Sequence, residues 1–423
     1  MTMTSRERVE KTLNHTEPDR VAIDLGATNV TGMHVRTVYL LRQALRLDAP
    51  GTPVKVIEPV QMLGEIKPDL LEAMGGDVVT VMGAGTTFGF KSEGWKEGSA
   101  FDSTPLLVPA GFNTIPEANG DLLMYPEGDR TAAASARMPS GGFYFDSIVR
   151  QPPLDESKLR VEDNLEEFAV ISDEEAAHFA RESERLFKKT SKAVMLNFSG
   201  LSLGNIARVP GPALRNPKGI RDIEEWYISL SMRRDFVQRI FERQTEINLA
   251  SLEKLHQAVG NNAHVIYWTG TDFGAQSGPF VSPKMYRDLF MPFHKQINGW
   301  IHQHTPWKTF IHSCGSVWAL LEDFIAAGFD ILNPVQISAA DMDPCKLKER
   351  FGDRVVFWGG GVDTQRVLPF GTEDEVRSQV RENLRAFAKG GGYVFNAVHN
   401  IQALVPVPNV IAMYKTAQEF SAN

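Results

Sequence analysis

Eight short apolar runs, each breaking into polar residues and followed by helical sequence, restrict this chain to very few folds. They are Arg20–Gly26, Asp77–Gly83, Ala193–Gly200, His264–Asp272, Thr309–Ser316, Phe329–Gln336, Arg354–Gly360 and Gly392–His399. Near-continuous Val, Ile, Leu and Phe marks strands covered on both faces, as in parallel sheets. Parallel strands need long crossovers, and the segments between these runs supply them. Helices are expected over 5–13, 34–46, 59–74, 173–189, 223–259, 283–304, 317–327, 344–351, 373–389 and 408–420. The helix over 173–189 opens with Asp173 and Glu174 and closes with Lys188 and Lys189, the charge order that complements a helix dipole.

Eightfold strand–helix alternation is the pattern of an α/β (β/α)8 TIM barrel. An open doubly wound sheet is the alternative. No Gly-x-Gly-x-x-Gly turn follows the first strand, and Gly359-Gly360-Gly361 lacks that spacing, so the barrel is preferred. One stretch interrupts the alternation. Over 84–153 Gly, Ser, Asp and aromatics mix, as in Phe88-Gly89-Phe90 and Gly141-Gly142-Phe143-Tyr144-Phe145, with turn pairs at Asn119-Gly120 and Glu127-Gly128. This reads as a β-hairpin insertion packed over one end of a single barrel domain spanning 1–423.

With 423 residues, 43% hydrophobic and 23% charged, the chain can bury a large core. A net charge of -8 argues against nucleic acid as a partner. No apolar run is long enough to span a membrane, and Met1 to Arg8 lacks the apolar centre of a signal peptide, so a cytoplasmic protein is expected. Cys314 and Cys345 are the two cysteines, too few for a disulfide framework. A homodimer is compatible with all of this.

In a barrel the C-terminal strand ends converge on one mouth, where active sites form. The polar residues there are Asp24, Asn197, Asp272, His312, Cys314, Asn333, Gln336, Asp363, Gln365 and His399. His312 and Cys314 are two apart, which on a strand points both to one face and pairs a soft sulfur with an imidazole nitrogen, a zinc-type combination. With His399 they make three protein ligands and leave a fourth position for substrate or water, as catalytic zinc requires. They come from the fifth and eighth strands, which are not neighbours, so both side chains must lean toward the barrel axis. Asp272 and His399 are the candidate catalytic acid/base groups. Asp24, Asn197, Asn333, Gln336, Asp363 and Gln365 are candidate substrate-binding residues. Each has a plainer reading alone: a buried His-x-Cys commonly packs, His399 can serve a loop, and Asp272 can cap a turn. Their convergence on one face favours a site. His302 and His304 lie at a helix end and read as surface cations, and Cys345 begins a helix outside the barrel.

The runs Thr271 to Pro283, His312-Ser313-Cys314-Gly315-Ser316, Asn333-Pro334-Val335-Gln336, Gly359 to Gln365 and Val398-His399-Asn400-Ile401-Gln402, with Val405 to Val410, resemble the uroporphyrinogen decarboxylase superfamily, more narrowly its corrinoid-dependent methyltransferase branch. The resemblance covers roughly the last 160 residues and, loosely, Glu17-Pro18-Asp19-Arg20. It implies that the His-x-Cys supplies two zinc ligands and that the third, usually Cys in that branch, falls on His399. It implies Zn2+, a small methylated substrate such as a methoxylated aromatic or a methylthiol, and a separate corrinoid protein as methyl acceptor. The decarboxylases use an N-terminal arginine-rich motif; Leu41-Arg42-Gln43-Ala44-Leu45-Arg46 lacks the residues that flank it. Metal-free decarboxylation by Asp272 and His399 is therefore the alternative, and a non-catalytic corrinoid-binding protein is a third reading.

Overall fold

The computed structural model describes residues 3–99 and 102–420; Met1 and Thr2 of the N-terminal stretch, Ala100 and Phe101 of the insertion, and Ser421 to Asn423 lie outside them. All eight apolar runs contain strands: β1 (Ala22–Ile23), β2 (Val78–Met82), β3 (Ala193–Asn197), β4 (Val265–Thr269), β5 (Lys308–His312), β6 (Ile331–Asn333), β7 (Val356–Trp358) and β8 (Tyr393–Phe395). They pair in parallel in the order β1-β8-β7-β6-β5-β4-β3-β2, an α/β TIM-type barrel. No ladder joins β1 to β2 among the described residues. Asp77 bridges that seam instead, its N–H donating to the Ile23 carbonyl at 2.7 Å and its carboxylate accepting the Ile23 N–H at 2.9 Å.

Strand residues alternate between two cores, as period-two side chains must. Ala22, Val78, Met195, Val265, Tyr267, Phe310, Ile331, Val356, Trp358 and Val394 fill the barrel, with Val9 and Leu13 of the helix Ser5–Leu13 closing its N-terminal end. Their neighbours Ile23, Val194, Ile266, Ile311, Leu332, Phe357 and Phe395 belong to the layer under the outer helices. The consequence for function is positional. Two residues beyond an inward-facing strand residue the side chain again points inward, which brings Asp24, Asn197, His312, Asn333 and Asn396 to the C-terminal mouth.

The helices Ser5–Leu13, Asp173–Lys189 and Pro344–Phe351 coincide with the sequence expectation. The 223–259 segment divides into Ile223–Met232 and Arg234–Val259, and 283–304 into Pro283–Leu289 and Met291–His304. The 59–74 segment differs more: only Pro68–Ala73 is helical, and Leu63–Gly64 pairs antiparallel with a strand at Val54–Glu58. Packing explains this. Gly64 lies under the helix Val35–Ala44, where an added Cβ would stand 2.9 Å from the Val35 Cα, and Val54, Val56 and Glu58 alternate buried with Lys55 and Ile57 between them.

The 84–153 segment contributes to two small sheets, one built with Val54–Glu58 and one of its own from Ile115–Pro116 to Asp146–Ser147. His34 Nε2, on the loop after β1, meets the Phe143 carbonyl at 3.0 Å, and Arg150 Nη1 donates to the Leu214 carbonyl after β3 at 2.7 Å. Both contacts tie this segment to the loops that follow β1 and β3, on the C-terminal side of the barrel. No helix among the described residues is long and apolar enough to cross a membrane.

Candidate metal centre at the barrel mouth

His312 ends β5 and Cys314 follows in the loop, with Sγ 3.4 Å from His312 Nε2. Two ligands of a tetrahedral zinc, bound at ordinary Zn–S and Zn–N lengths, stand about 3.6 Å apart, so this pair is spaced as ligands are. His399, from the loop after β8, completes the group: one ligand atom from each of the three residues lies within 4.8 Å of the others, and the His312 and His399 rings meet edge to face at 5.3 Å. Side chains from the ends of strands five and eight thus meet, although the strands are not neighbours.

The tautomer of His312 is held by β6. Asn333 Nδ2 donates to the Trp358 carbonyl at 2.9 Å, which turns its Oδ1 toward His312 Nδ1 at 2.6 Å. His312 therefore donates from Nδ1 and keeps the Nε2 lone pair for a metal, the outer arrangement that metal-binding imidazoles adopt. Burial lowers both imidazoles to about 4, on His399 with the His312 charge adding to the effect and the Asp272 charge opposing it, so both are neutral at ordinary pH. Burial and the Asp272 charge push the Cys314 thiol up, and a bound cation would reverse that. A set of two neutral nitrogens and one sulfur fits zinc.

Asp272, beyond the end of β4, accepts the Cys314 N–H at 2.7 Å through Oδ1. Burial raises its pKa, opposed by that hydrogen bond and by His399. The loops of β4 and β5 are pressed together here. Gly315 sits at φ 85° against Gly274, where a Cβ would come within 2.3 Å of the Gly274 carbonyl carbon, and Gln336 Oε1 accepts the Gly315 N–H at 2.7 Å. Only glycine allows this approach.

The other expected residues divide. Asn333 and Gln336 bear on the candidate ligand group as described, through His312 Nδ1 and the Gly315 N–H. Asn197 donates to Asn29 Oδ1 at 3.0 Å on the β2–β3 side of the mouth. Asp24 is fully buried and accepts Trp358 Nε1–H and the Ala27 N–H, both at 2.8 Å, with burial raising its pKa to about 6. Asp363 accepts the Gln365 N–H at 2.7 Å within the turn after β7, and Gln365 is exposed. Those three stand in turns outside the ligand group. Arg42, buried, pairs with Asp48 beyond the end of its helix and with Asp69 of the helix Pro68–Ala73, and Cys345 is exposed. The sequence reading missed Tyr227, whose hydroxyl is buried without a partner and is raised to about 12 by burial and the Asp272 charge. It comes from a helix, not from a strand end, so only folding reveals it.

The family profile described as Uroporphyrinogen decarboxylase (URO-D) matches residues 156–420, more than half of the chain. A uroporphyrinogen decarboxylase of Pseudoalteromonas translucida is 27% identical over 214 residues, covering 47% of this chain and 57% of its own length. One of Psychromonas ingrahamii is 29% identical, covering 35% and 42%. The matched chain spans about half the length of these curated relatives. Among solved structures, a methyltransferase from Methanosarcina mazei superposes over 99% of both chains with a TM-score of 0.55 and 15% sequence identity, a likeness of fold.

Proposed function

Because the chain belongs to the uroporphyrinogen decarboxylase family, we propose that it is a zinc-dependent methyltransferase, moving a methyl group from a small methylated substrate, a methoxylated aromatic or a methylthiol, to the Co(I) corrinoid of a separate protein. The observation that carries this reading is the convergence of His312, Cys314 and His399 within 4.8 Å. Zinc held by these three supplies Lewis acidity toward the oxygen or sulfur that departs when the methyl group leaves. Asn333 keeps the His312 nitrogen aimed at the site, and Asp272 fixes the Cys314 loop through its N–H. The Asp272 carboxyl, its pKa raised by burial, is suited to hold a proton for the departing atom. The mouth and the 84–153 insertion form the surface on which the corrinoid protein would dock. An end-to-end fold match with a methyltransferase is in keeping with the reading.

The names of the curated relatives favour a second reading, metal-free decarboxylation with Asp272 and His399 as the acid/base pair. Metal content separates the two. Anaerobically purified protein should carry one zinc per chain by mass spectrometry, lost or much weakened in Cys314→Ser and His399→Ala, and should methylate a Co(I) corrinoid from a suitable donor. Wild-type protein without zinc, folded and unable to take it up, would return the site to acid/base chemistry.

A further inference from the structure

Beside the metal centre a recess of about 480 Å³ opens between the ends of β2 and β3 and the helices outside them, in the size range of small-ligand sites. Asn29 links the two, lining the recess while its carbonyl accepts Asn400 Nδ2 at 2.9 Å, next to His399. Phe168 and Phe198 make part of the wall apolar. Its polar groups sort by whether they are already used. Glu58 accepts the N–H groups of Val60 and Gln61, and Glu167 pairs with Arg221. Three of the groups left over carry the argument. The Arg208 guanidinium and the Glu175 carboxylate have no hydrogen-bond or ion-pair partner among the described residues. Burial raises the Glu175 carboxyl and the charges of His178 and Arg208 oppose that, yet Glu175 and Arg208 form no ion pair with one another. Asn248, wholly buried, donates Nδ2 to the Leu201 carbonyl at 2.9 Å but leaves Oδ1 unpaired, an acceptor in want of a donor.

Opposite charges held apart across a cavity, with an orphaned acceptor between apolar walls, suit a ligand carrying both signs and N–H donors. We propose that this recess binds an α-amino acid as its zwitterion, the carboxylate on Arg208 and the ammonium on Glu175 and Asn248, with an apolar side chain against Phe168 and Phe198. The class of methyl donor that follows, a methylthio- or methoxy-bearing amino acid, rests on the methyl-transfer reading; occupancy of the recess does not.

The test is calorimetric titration of the full chain with S-methylcysteine, beside methylthiopropanoate, which keeps only the anion, and methylthioethylamine, which keeps only the cation. S-methylcysteine should bind at least about tenfold more tightly than either, and Arg208→Gln and Glu175→Gln should each weaken it by about 10–100-fold, the worth of a charged hydrogen bond. Neither side chain has a protein partner to lose, so both variants should unfold at the wild-type urea concentration. Cys314→Ser should bind S-methylcysteine as the wild type does. No binding to folded wild type, equal binding of the three probes, or indifference to both variants would overturn the assignment. Zinc without amino-acid binding sinks this inference alone; amino-acid binding without zinc sinks methyl transfer alone.

Discussion

Asn333 bears on the proposed metal centre without belonging to it. Its Oδ1 is the acceptor that gives His312 the Nδ1–H tautomer, and its own orientation is fixed by the Trp358 carbonyl. Asn333→Ala should leave the three ligands in the chain but weaken zinc by about 10–100-fold in chelator competition, the usual cost of losing such a partner. Unchanged affinity would mean that His312 is held by its packing alone. Protons give a second residue-scale expectation. The two imidazoles titrate near 4, below the ordinary 6.5, so above about pH 5 they are already neutral and release nothing when metal binds. The Cys314 thiol lies far above its ordinary value and must lose its proton. Zinc affinity should therefore climb about tenfold per pH unit between about pH 6 and 8, with one proton released per zinc in buffers of differing ionisation heat. A flat profile would remove Cys314 from the ligand set.

At the scale of elements, the β4 and β5 loops act as one clamp around the proposed ligands. Gly315 at φ 85°, pressed on Gly274, lets the Cys314 N–H reach Asp272 and its own N–H reach Gln336. Gly315→Ala should cost about 2 kcal/mol or more in urea unfolding, from the left-handed backbone and the backbone overlap together, and should lower zinc occupancy with it. A variant with wild-type stability and zinc would show that the loops are free to part. This clamp also marks how far the sequence could be read. The strands and the His312–Cys314 spacing are legible because near-continuous apolar runs ending in polar residues have one consistent placement in a barrel. The 59–74 segment is not, since Gly64 takes its conformation from a helix lying across it. Asp24 occupies the expected strand end, but its carboxylate is taken by Trp358, and position on a strand gives the face a side chain shares, not its partner. Arg208, Glu175, Asn248 and Tyr227 reach the mouth from loops and outer helices, and no local pattern announces that.

For the whole molecule the weak point is the seam. Seven of the eight strand junctions are ladders; β1 and β2 are joined through Asp77. Its buried carboxylate accepts four hydrogen bonds, from Arg8 Nη1 at 2.7 Å, Arg20 Nη1 and Nη2 at 2.7 and 2.9 Å, and the Ile23 N–H at 2.9 Å. Arg8 lies on the helix that closes the N-terminal end and is itself buried, with Asp19 as its second partner. One acid thus ties the plug, the first strand and the second. Asp77→Ala leaves the buried Arg8 guanidinium with Asp19 alone, takes the carboxylate from Arg20 and frees the Ile23 N–H at once, and breaking such a buried pair costs about 3–5 kcal/mol. Urea unfolding should show a loss of that size, and amide exchange should accelerate first at Ala22 and Ile23, then along the helix Ser5–Leu13. The proposed ligands His312, Cys314 and His399 sit at the opposite end of the barrel, so zinc affinity under native conditions should change far less than stability. A parallel loss of both would mean that the seam and the metal centre open as one unit, and that the mouth is organised only when the barrel is closed.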